Sequence, residues 1–233
     1  MQKKNNLLYK IYFSFVMMTK SDIYVQNFPL KENFFYLFSK RVIDILVSVV
    51  VLFLFFLPLF FVVCFINLLS SAHRYPIFFS QKRTGLHGKT FTCYKFRSMK
   101  TSSKYAKTDS ERVSRFGLFI RKYSLDEVPQ FFNVFIGDMS LVGPRPHMLR
   151  HTLYYGKLIP EYKLRHRVKP GLTGYAQMLG YRGDLELSEM KKRIDCDLWY
   201  IQNRNLFMDL KIIFLTPVSV FKKITPFSKH TFL

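Results

Sequence analysis

The sequence has few cysteines and no recognisable secretion signal. Its three cysteines, Cys64, Cys93 and Cys196, lie far apart and form no C-x-x-C pair, so neither a disulfide framework nor a zinc knuckle is predicted. The apolar stretch at 7–18 is interrupted by Lys10 and is followed by no small-residue cleavage pattern, which does not fit a signal peptide. We expect this stretch to be either an interfacial helix or a poorly ordered extension.

Acidic residues are scarce relative to basic ones. The chain has 15 Asp+Glu against 36 Lys+Arg, a formal net charge of +21, which predicts an anionic partner such as nucleic acid, an anionic membrane or a phosphorylated substrate. Hydrophobic residues make up 49% of the chain and include 26 phenylalanines. A protein seated on a phospholipid membrane needs both properties. A nucleic-acid binder rarely needs so much apolar surface, and no nucleic-acid-binding motif is present, so we expect no nucleic-acid partner.

One long apolar run indicates a membrane segment. Residues 45–66 carry no charge and are long enough to cross a bilayer core of about 30 Å as a helix at about 1.5 Å per residue. Pro58 lies well inside the run, where it should kink or break a helix. Basic residues flank the run on both sides, at Lys40 and Arg41 before it and at 74, 82 and 83 after it. We therefore hypothesise a re-entrant helix-break-helix rather than a spanning helix, because cytoplasmic flanks carry Lys and Arg.

Turn signals become regular after residue 71 and indicate a cytoplasmic portion. Two β-prone runs at 77–80 and 90–94 are joined by a Gly-containing connection, which predicts a hairpin. The basic and aromatic residues at 94–99 are either phosphate contacts or the solvated face of a strand. Residues 100–114 are polar and predict a flexible loop.

Two later segments combine apolar residues with basic ones. The first, at 115–123, predicts either a helix lying at the membrane interface or a core-facing helix with a solvated edge. The second, at 209–221, is interrupted by Pro217 and followed by two lysines. It is too short to span a bilayer and is predicted to be interfacial or core.

The most informative stretch, at 124–146, sets an acidic pair close to a rigid arginine turn. Asp126 and Glu127, called the acidic pair below, offer hard oxygen ligands of the kind that magnesium prefers. Arg145 lies between Pro144 and Pro146 and offers a planar fork that matches phosphate oxygens. The stretch therefore predicts phosphoryl chemistry assisted by a divalent metal.

The local geometry of the acidic pair has two interpretations. Ser124 followed by Glu127 has the form of a capping box, in which Glu127 is structural. Pro129 conflicts with that register, because it would fall inside the helix and delete an amide donor. If Pro129 opens the helix instead, the acidic pair lies in the turn just before it. Either register places the carboxylates at the positive end of a helix dipole, where we expect them to stay ionised.

Seven motifs occur in order over residues 38–221 and carry a family resemblance. They are KRVID at 40–44, QKRTG at 81–85, KFRSM at 95–99, SLDEVPQ at 124–130, GDMSLVGPRP at 137–146, VKPGLTGYAQ at 168–177 and DLWY at 197–200. Together they closely resemble the bacterial sugar transferase family, the monotopic polyprenyl-phosphate phosphoglycosyl transferases. Relatives of this kind start the assembly of a surface glycan such as exopolysaccharide, capsule, O-antigen or glycoprotein glycan.

The resemblance implies the reaction, its substrates and its location. The expected enzyme moves a sugar 1-phosphate from a UDP-sugar to undecaprenyl phosphate and releases UMP, with Mg2+ as cofactor. Asp126 is the implied nucleophile, which forms a phosphosugar-aspartyl intermediate, and Glu127 is the implied metal-site partner or base. The expected location is the cytoplasmic face of the bacterial inner membrane, on phospholipid, with downstream glycosyltransferases as further partners.

Several cations are candidates for binding the phosphates, since both substrates and products are polyanionic. Arg145 is the first candidate, and the others are Lys95, Arg97, Arg121 and Arg182. Asp197 either binds substrate or caps or pairs within a helix. The glycines at 171 and 174 predict a tight turn, which either contacts a ligand or is purely structural.

The expected fold is α+β and mainly helical. An N-terminal extension at 1–37 is followed by the re-entrant membrane helix at 38–71, a compact catalytic domain at 72–223 with a small β-hairpin and interfacial helices, and a tail at 224–233. The chain departs from the family pattern where Leu57 precedes the membrane proline and where HRYP at 73–76 replaces a Gly-Pro turn. It resembles the minimal form of the family. The alternative function is a non-catalytic basic membrane scaffold of a glycan-assembly complex.

Overall fold

A computed structural model describes most of the 233-residue chain. The described residues are 28, 33–69, 76–99, 113–181 and 186–224. Several expectations fall outside them: the segment at 7–18, the loop at 100–112, Arg182 and the tail after residue 224.

A long apolar helix opens the described chain. It comprises α1 (Phe34–Val51), a π-helical turn (Leu52–Phe56) and α2 (Leu57–Leu69), together called the apolar helix. Asn33 caps its start by accepting hydrogen bonds from the backbone N–H groups of the first turn, the shorter at 2.9 Å. The stretch Phe34–Leu68 is long and apolar enough to cross a membrane by length and composition.

Pro58 does not break the apolar helix, contrary to expectation. The helix continues from α1 into α2, and the irregularity is the π-helical turn that ends at Phe56, just before the proline. A proline cannot donate to the carbonyl four residues before it, here that of Leu54. The π turn lies over this carbonyl, and widened turns of this kind are a known cause of helix irregularity.

The first half of the apolar helix is bonded to the folded part that follows it, residues 76–224, called the body. Lys40 forms an ion pair of 2.8 Å with Asp209. The guanidinium of Arg41 donates to the carbonyls of Val134 and Phe135 at 2.7 Å each. The cations before the apolar run, which the sequence offered as a sign of membrane orientation, therefore make internal contacts.

Asp44 fixes the same part of the apolar helix to a strand of the body. Its Oδ1 accepts a hydrogen bond from the backbone N–H of Leu141 at 2.9 Å and one from the hydroxyl of Ser140 at 3.2 Å. The second half of the apolar helix packs by stacked aromatic rings instead. Phe56 lies 5.6 Å from Phe96 between ring centroids. Both halves therefore contact the body.

The predicted hairpin is confirmed. Strand β1 (Phe78–Thr84) pairs antiparallel with β2 (Thr90–Phe96), and β1 runs four residues beyond its predicted end at residue 80. A short 3-10 turn (Leu86–Gly88) joins them. Gly88 has φ +76°, in the left-handed region that glycine adopts without steric cost.

The central part of the body positions the acidic pair. It consists of α3 (Arg115–Lys122), a 3-10 turn (Leu125–Glu127), α4 (Gln130–Ile136) and β3 (Ser140–Val142). The helix predicted at 115–123 is thus confirmed as a helix. Ile120 is completely buried, whereas Leu118 and Phe119 are more than half exposed. The helix has a core-facing side and an exposed apolar side.

Strand β4 (Gly171–Thr173) pairs in parallel with β3, and this pairing explains the glycines at 168–177. A Cβ at Gly171 would collide with the backbone nitrogen of Gly143, and one at Gly174 would collide with the carbonyl oxygen of Gly143. Of the two interpretations of this turn, close packing of one backbone on another accounts for both glycines.

The remaining helices enclose the core. They are α5 (Leu149–Leu158), a long 3-10 segment (Pro160–Arg167), α6 (Tyr175–Met178), α7 (Leu187–Asn203) and α8 (Leu206–Ile224). The expectation that Pro217 interrupts the last segment is wrong, because Pro217 lies inside α8. Ile212 of the same helix is completely buried, and such packing can offset the hydrogen bond that a proline removes.

Candidate active site

The acidic pair lies in a strained turn immediately before a helix. Ser124 adopts a left-handed conformation with φ 56° and makes no side-chain capping bond, and Pro129 stands at the N-cap of α4. The capping box is therefore not formed, and the register in which Pro129 opens the helix is confirmed. A positive φ at a serine is uncommon and is found where the surroundings fix an unusual backbone, often at functional sites.

Glu127 is bonded to two cations from other parts of the chain. Its Oε1 lies 2.6 Å from the Nζ of Lys95 and 2.6 Å from one guanidinium nitrogen of Arg145. The second guanidinium nitrogen of Arg145 donates to Oε2 at 3.3 Å. Burial by itself would raise the pKa of Glu127, but the charges of Arg145 and Lys95 outweigh it and hold the pKa far below its ordinary value. Glu127 is thus a permanently charged counter-ion for the two cations.

Asp126 is the member of the acidic pair whose carboxylate no described cation binds. It is 9% exposed and has no hydrogen bond or ion pair within the described part of the chain. Burial raises its pKa to about 6, an effect that the charge of Lys95 opposes and that of Glu127 reinforces. Glu127 stays ionised as expected, but the charges of Arg145 and Lys95 are the cause, and a contribution of the helix dipole stays a prediction. For Asp126, burial moves the pKa in the opposite direction.

A buried ion pair fixes the backbone of the turn that carries Arg145. Arg165 donates to the backbone carbonyl of Arg145 at 2.8 Å and to Asp197 Oδ2 at 2.7 and 3.0 Å. Both Arg165 and Asp197 are 2% exposed. Of the two roles considered for Asp197, the structure shows pairing, since its carboxylate is enclosed and bound to Arg165. Sequence reasoning missed Arg165, which is not in any of the motifs.

The other predicted phosphate-binding cations are not all gathered at the acidic pair. Lys95 and Arg145 contact Glu127 directly, and the charge of Arg121 acts on Asp126. Arg97 donates instead to the backbone carbonyls at positions 76 and 78, at 2.9 and 3.3 Å, at the start of β1. Of the two interpretations of the 94–99 segment, Lys95 fits the site and Arg97 fits the strand.

A cavity of about 390 Å³ opens beside Glu127, and no pattern in the sequence predicted it. Glu127 and Arg145 line its polar end. The remaining lining residues come from the apolar helix and from six parts of the body: Val47, Ser124, Val128, Phe131, Leu141, Leu172, Thr173, Gln177, Ile213, Thr216 and Pro217. Most of these side chains are apolar. The charged side chains of Glu127 and Arg145 do not by themselves explain an apolar wall beside them.

The acidic residues fit a magnesium ion only in part. Within the described residues, no three His, Cys, Asp or Glu side chains come together as a metal-binding group. Both oxygens of Glu127 are already bonded to Lys95 and Arg145, so the expected metal site shared by the acidic pair does not fit this arrangement. Asp126 remains available, and Mg2+ is often held by one carboxylate together with substrate phosphates and water.

Comparison with known sequences identifies relatives of the whole described region. The family profile described as "Bacterial sugar transferase" matches residues 35–223. A protein named UDP-glucose:undecaprenyl-phosphate glucose-1-phosphate transferase from Xanthomonas campestris pv. campestris is 51% identical over 152 residues, which are 62% of this chain and 31% of that protein. The protein of the same name from Klebsiella pneumoniae is 46% identical over 183 residues, 76% of this chain and 39% of its own length.

A third relative carries a different sugar in its name. The UDP-N-acetylgalactosamine-undecaprenyl-phosphate N-acetylgalactosaminephosphotransferase of Aeromonas hydrophila is 41% identical over 187 residues, 78% of this chain and 43% of that protein. The chain thus spans less than half the length of each of these three curated relatives.

Proposed function

Because this chain belongs to the bacterial sugar transferase family, we propose that it transfers a sugar 1-phosphate from a UDP-sugar to undecaprenyl phosphate and releases UMP. The names of its relatives support this reaction. Two different sugars occur in those names, so the sugar is a matter for experiment. In a cell the reaction would begin the synthesis of a surface polysaccharide.

The different surroundings of Asp126 and Glu127 are the observation that supports this proposal. A nucleophilic carboxylate needs a free oxygen and an environment that does not already bind its charge. Asp126 meets this condition, since its carboxylate has no bonded partner among the described residues and burial removes part of its hydration. Glu127 does not meet it, because Lys95 and Arg145 already bind both of its oxygens.

The proposed reaction has two steps at one phosphorus atom. A carboxylate oxygen of Asp126 attacks the phosphorus that bears the sugar, and the bond from this phosphorus to the oxygen bridging to UMP breaks, so UMP leaves with the electron pair. In the second step a phosphate oxygen of undecaprenyl phosphate attacks the same phosphorus. The bond to Asp126 then breaks and restores the free carboxylate. Lys95 and Arg145 stabilise the negative charge that develops on the phosphoryl oxygens.

Magnesium is proposed as a companion of the diphosphate. Asp126 would hold it together with substrate oxygens, and the ion would supply neutralisation of the diphosphate charge. The roles of Glu127 and Arg165 do not depend on the ion. Glu127 keeps Arg145 and Lys95 side by side, and Arg165 fixes the backbone from which Arg145 extends.

We propose that the apolar helix bends at its π-helical turn (Leu52–Phe56) and so enters and leaves the same membrane face, the cytoplasmic face of the inner membrane. Tyr36 near its start and Phe60 in its second half both contact the body. About 24 residues separate them, or roughly 36 Å of helix, more than the core of a bilayer of about 30 Å. A helix that stood upright across the membrane would carry one of these contacts away from the body. A tag before Lys40 that is accessible only from the periplasm would contradict this topology.

The reaction is tested with purified protein in lipid nanodiscs. UMP release is measured with Mg2+, undecaprenyl phosphate and a panel of UDP-sugars that includes UDP-glucose and UDP-N-acetylgalactosamine. We expect release with at least one sugar from the wild-type protein, and near-complete loss in Asp126→Asn with membrane association retained. Asp195→Asn is the matched control, because Asp195 is an exposed aspartate of α7. Mass spectrometry of the peptide that contains Asp126, after incubation without the lipid, should show a phosphosugar adduct.

Two outcomes would refute the proposal. Absence of UMP release across the panel from folded protein would reject the transferase reaction. Unchanged activity in Asp126→Asn would reject the assignment of the nucleophile. If folded protein released no UMP but still bound anionic membranes and glycan-assembly proteins, the scaffold alternative would explain the chain better.

A further inference from the structure

The cavity beside the acidic pair has two chemically different ends. Its volume of about 390 Å³ lies in the range of pockets that bind small molecules, roughly 300–1,000 Å³. Glu127 and Arg145 form one end, where the transferred phosphate would lie. Val47 of the apolar helix, Phe131 of α4 and Ile213 of α8 contribute to the rest of the wall. A ligand that fills this cavity has a charged head and an apolar chain.

Two walls of the cavity are inner sides of helices whose outer sides are also apolar. Val49 follows Val47 by two residues, about 200° around the helix, and is 47% exposed, and Phe214 follows Ile213 and is 72% exposed. Exposed apolar residues on neighbouring helices mark a surface that contacts a partner or a membrane. The cavity is therefore bordered by surface suited to lipid acyl chains, and a lipid substrate could enter it without crossing water.

The lining does not fit a nucleoside. A uracil and its ribose need several polar groups placed to bind their edges and hydroxyls. Among the uncharged polar lining residues, the hydroxyls of Thr173 and Thr216 lie 2.6 Å apart and are hydrogen-bonded to each other, and the amide of Gln177 donates to a backbone carbonyl oxygen. The fourth, Ser124, lies at the charged end of the cavity. Phe131 is the one aromatic ring of the lining. The apolar wall is instead suited to branched hydrocarbon.

Arg145 retains donors for an incoming phosphate while it is bound to Glu127. A guanidinium has five N–H groups, and Glu127 accepts hydrogen bonds from two of its nitrogens. The side chain of Arg145 is 31% exposed, so its remaining donors can be reached. Asp126 itself does not line the cavity, but it directly precedes Glu127 and the charge of Arg145 acts on it. A phosphate bound by Arg145 would therefore lie within reach of Asp126 for the second step of the proposed reaction.

We propose that this cavity binds the isoprenoid units nearest the phosphate of the lipid acceptor, with the phosphate at the Arg145 end. The proposal rests on the proposed transferase function and adds the location of one substrate. It separates the two substrates in space, since the UDP-sugar must then approach Asp126 from outside the cavity. Filling the cavity should therefore impair the second step and spare the first.

The test uses bulky substitutions at two walls and the same substitutions on the outer faces of the same helices. Val47→Trp and Ile213→Trp fill the cavity from different sides, whereas Val49→Trp and Phe214→Trp add the same ring outside it. The first step is measured as the burst of UMP from UDP-sugar and Mg2+ without lipid. The second is measured as transfer of sugar phosphate to undecaprenyl phosphate over a range of lipid concentrations. The full-length protein in nanodiscs is used throughout.

We expect both cavity variants to keep the UMP burst and to raise the KM for undecaprenyl phosphate about tenfold or more, as loss of a few buried methylene contacts implies. Both control variants should keep both steps. Lipid kinetics unchanged in both cavity variants would overturn the proposal. So would loss of the burst in a cavity variant that unfolds at the wild-type temperature, because the cavity would then bind the nucleotide. Absence of any burst from the wild-type protein would instead reject the underlying transferase function.

Discussion

Lowering the pH from 7 to 5 should slow the proposed formation of a phosphosugar adduct about tenfold, because the proposed nucleophile, Asp126, must be ionised. Burial raises the pKa of Asp126 from an ordinary 3.8 to about 6. An aspartate with that pKa is about nine-tenths ionised at pH 7 and about one-tenth ionised at pH 5. An aspartate with an ordinary pKa would be almost fully ionised at both.

The size of the effect comes from the surroundings of one carboxylate. Raising the pKa of Asp126 from 3.8 to about 6 means that the folded protein disfavours the ionised form, relative to the neutral form, by about 3 kcal/mol. Burial is the largest cause, and the charge of Lys95 is the largest influence that opposes it. Lys95→Met should therefore move the midpoint of the acidic limb above that of the wild type, and Lys95→Arg should keep it near the wild-type value.

The assay is the rate constant of the UMP burst without lipid, at a UDP-sugar concentration well below saturation. Mg2+ is kept constant and just sufficient to load the UDP-sugar, so that the free enzyme titrates without the ion. Under these conditions the pH profile reports the pKa values of the free enzyme. A UDP-sugar has no proton to lose between pH 5 and 7, so the limb belongs to the protein. A rate constant that is flat over this range, or a midpoint lowered by Lys95→Met, would show that burial of Asp126 does not control its ionisation.

Three further predictions concern stability and are checked by thermal unfolding in detergent. Asp126→Asn should raise the free energy of unfolding at pH 7 by up to about 3 kcal/mol. The reason is that a carboxyl whose pKa is raised in the folded state lowers stability as the pH rises from 3.8 to about 6. A stability gain that persists unchanged at pH 4 would contradict this. Asp197→Ala should cost about 3–5 kcal/mol by leaving Arg165 buried and unpaired, and adding Arg165→Met should recover part of it, whereas additive losses would argue against the pair. Gly171→Ala should strongly lower the melting temperature through backbone collisions, whereas Gly156→Ala, whose new methyl group would have its nearest contact at 3.8 Å, should change it little; equal effects would contradict this account.

Local rules predicted the features that depend on neighbouring residues. The hairpin and the start of α4 at Pro129 follow from turn chemistry within a few positions. The same rules overestimated the helix-breaking effect of two prolines. Pro58 is accommodated by a π turn and Pro217 lies within a packed helix, because neighbouring turns and tertiary contacts can compensate for one lost hydrogen bond.

The division of roles within the acidic pair could not be predicted from spacing. Glu127 is fixed by Lys95, 32 positions away, and by Arg145, 18 positions away. Nothing in the dipeptide itself distinguishes the acid that these cations bind from the acid that they leave available. The cavity is a similar case, since it arises where the apolar helix, α4 and α8 meet, and each contributes residues that by sequence alone are ordinary core residues.

The bonds between the apolar helix and the body mean that, in the proposed membrane location, this helix is not an interchangeable anchor. Replacing it with another hydrophobic helix of equal length would remove the cation that neutralises Asp209 and the guanidinium that binds the last carbonyls of α4. It would also remove Asp44, which accepts the N–H of Leu141. A chimera with a foreign anchor would thus reach the membrane with a loosened body. For the same reason we expect that removing the helix would not yield a soluble folded protein, because the apolar helix is part of the folding unit.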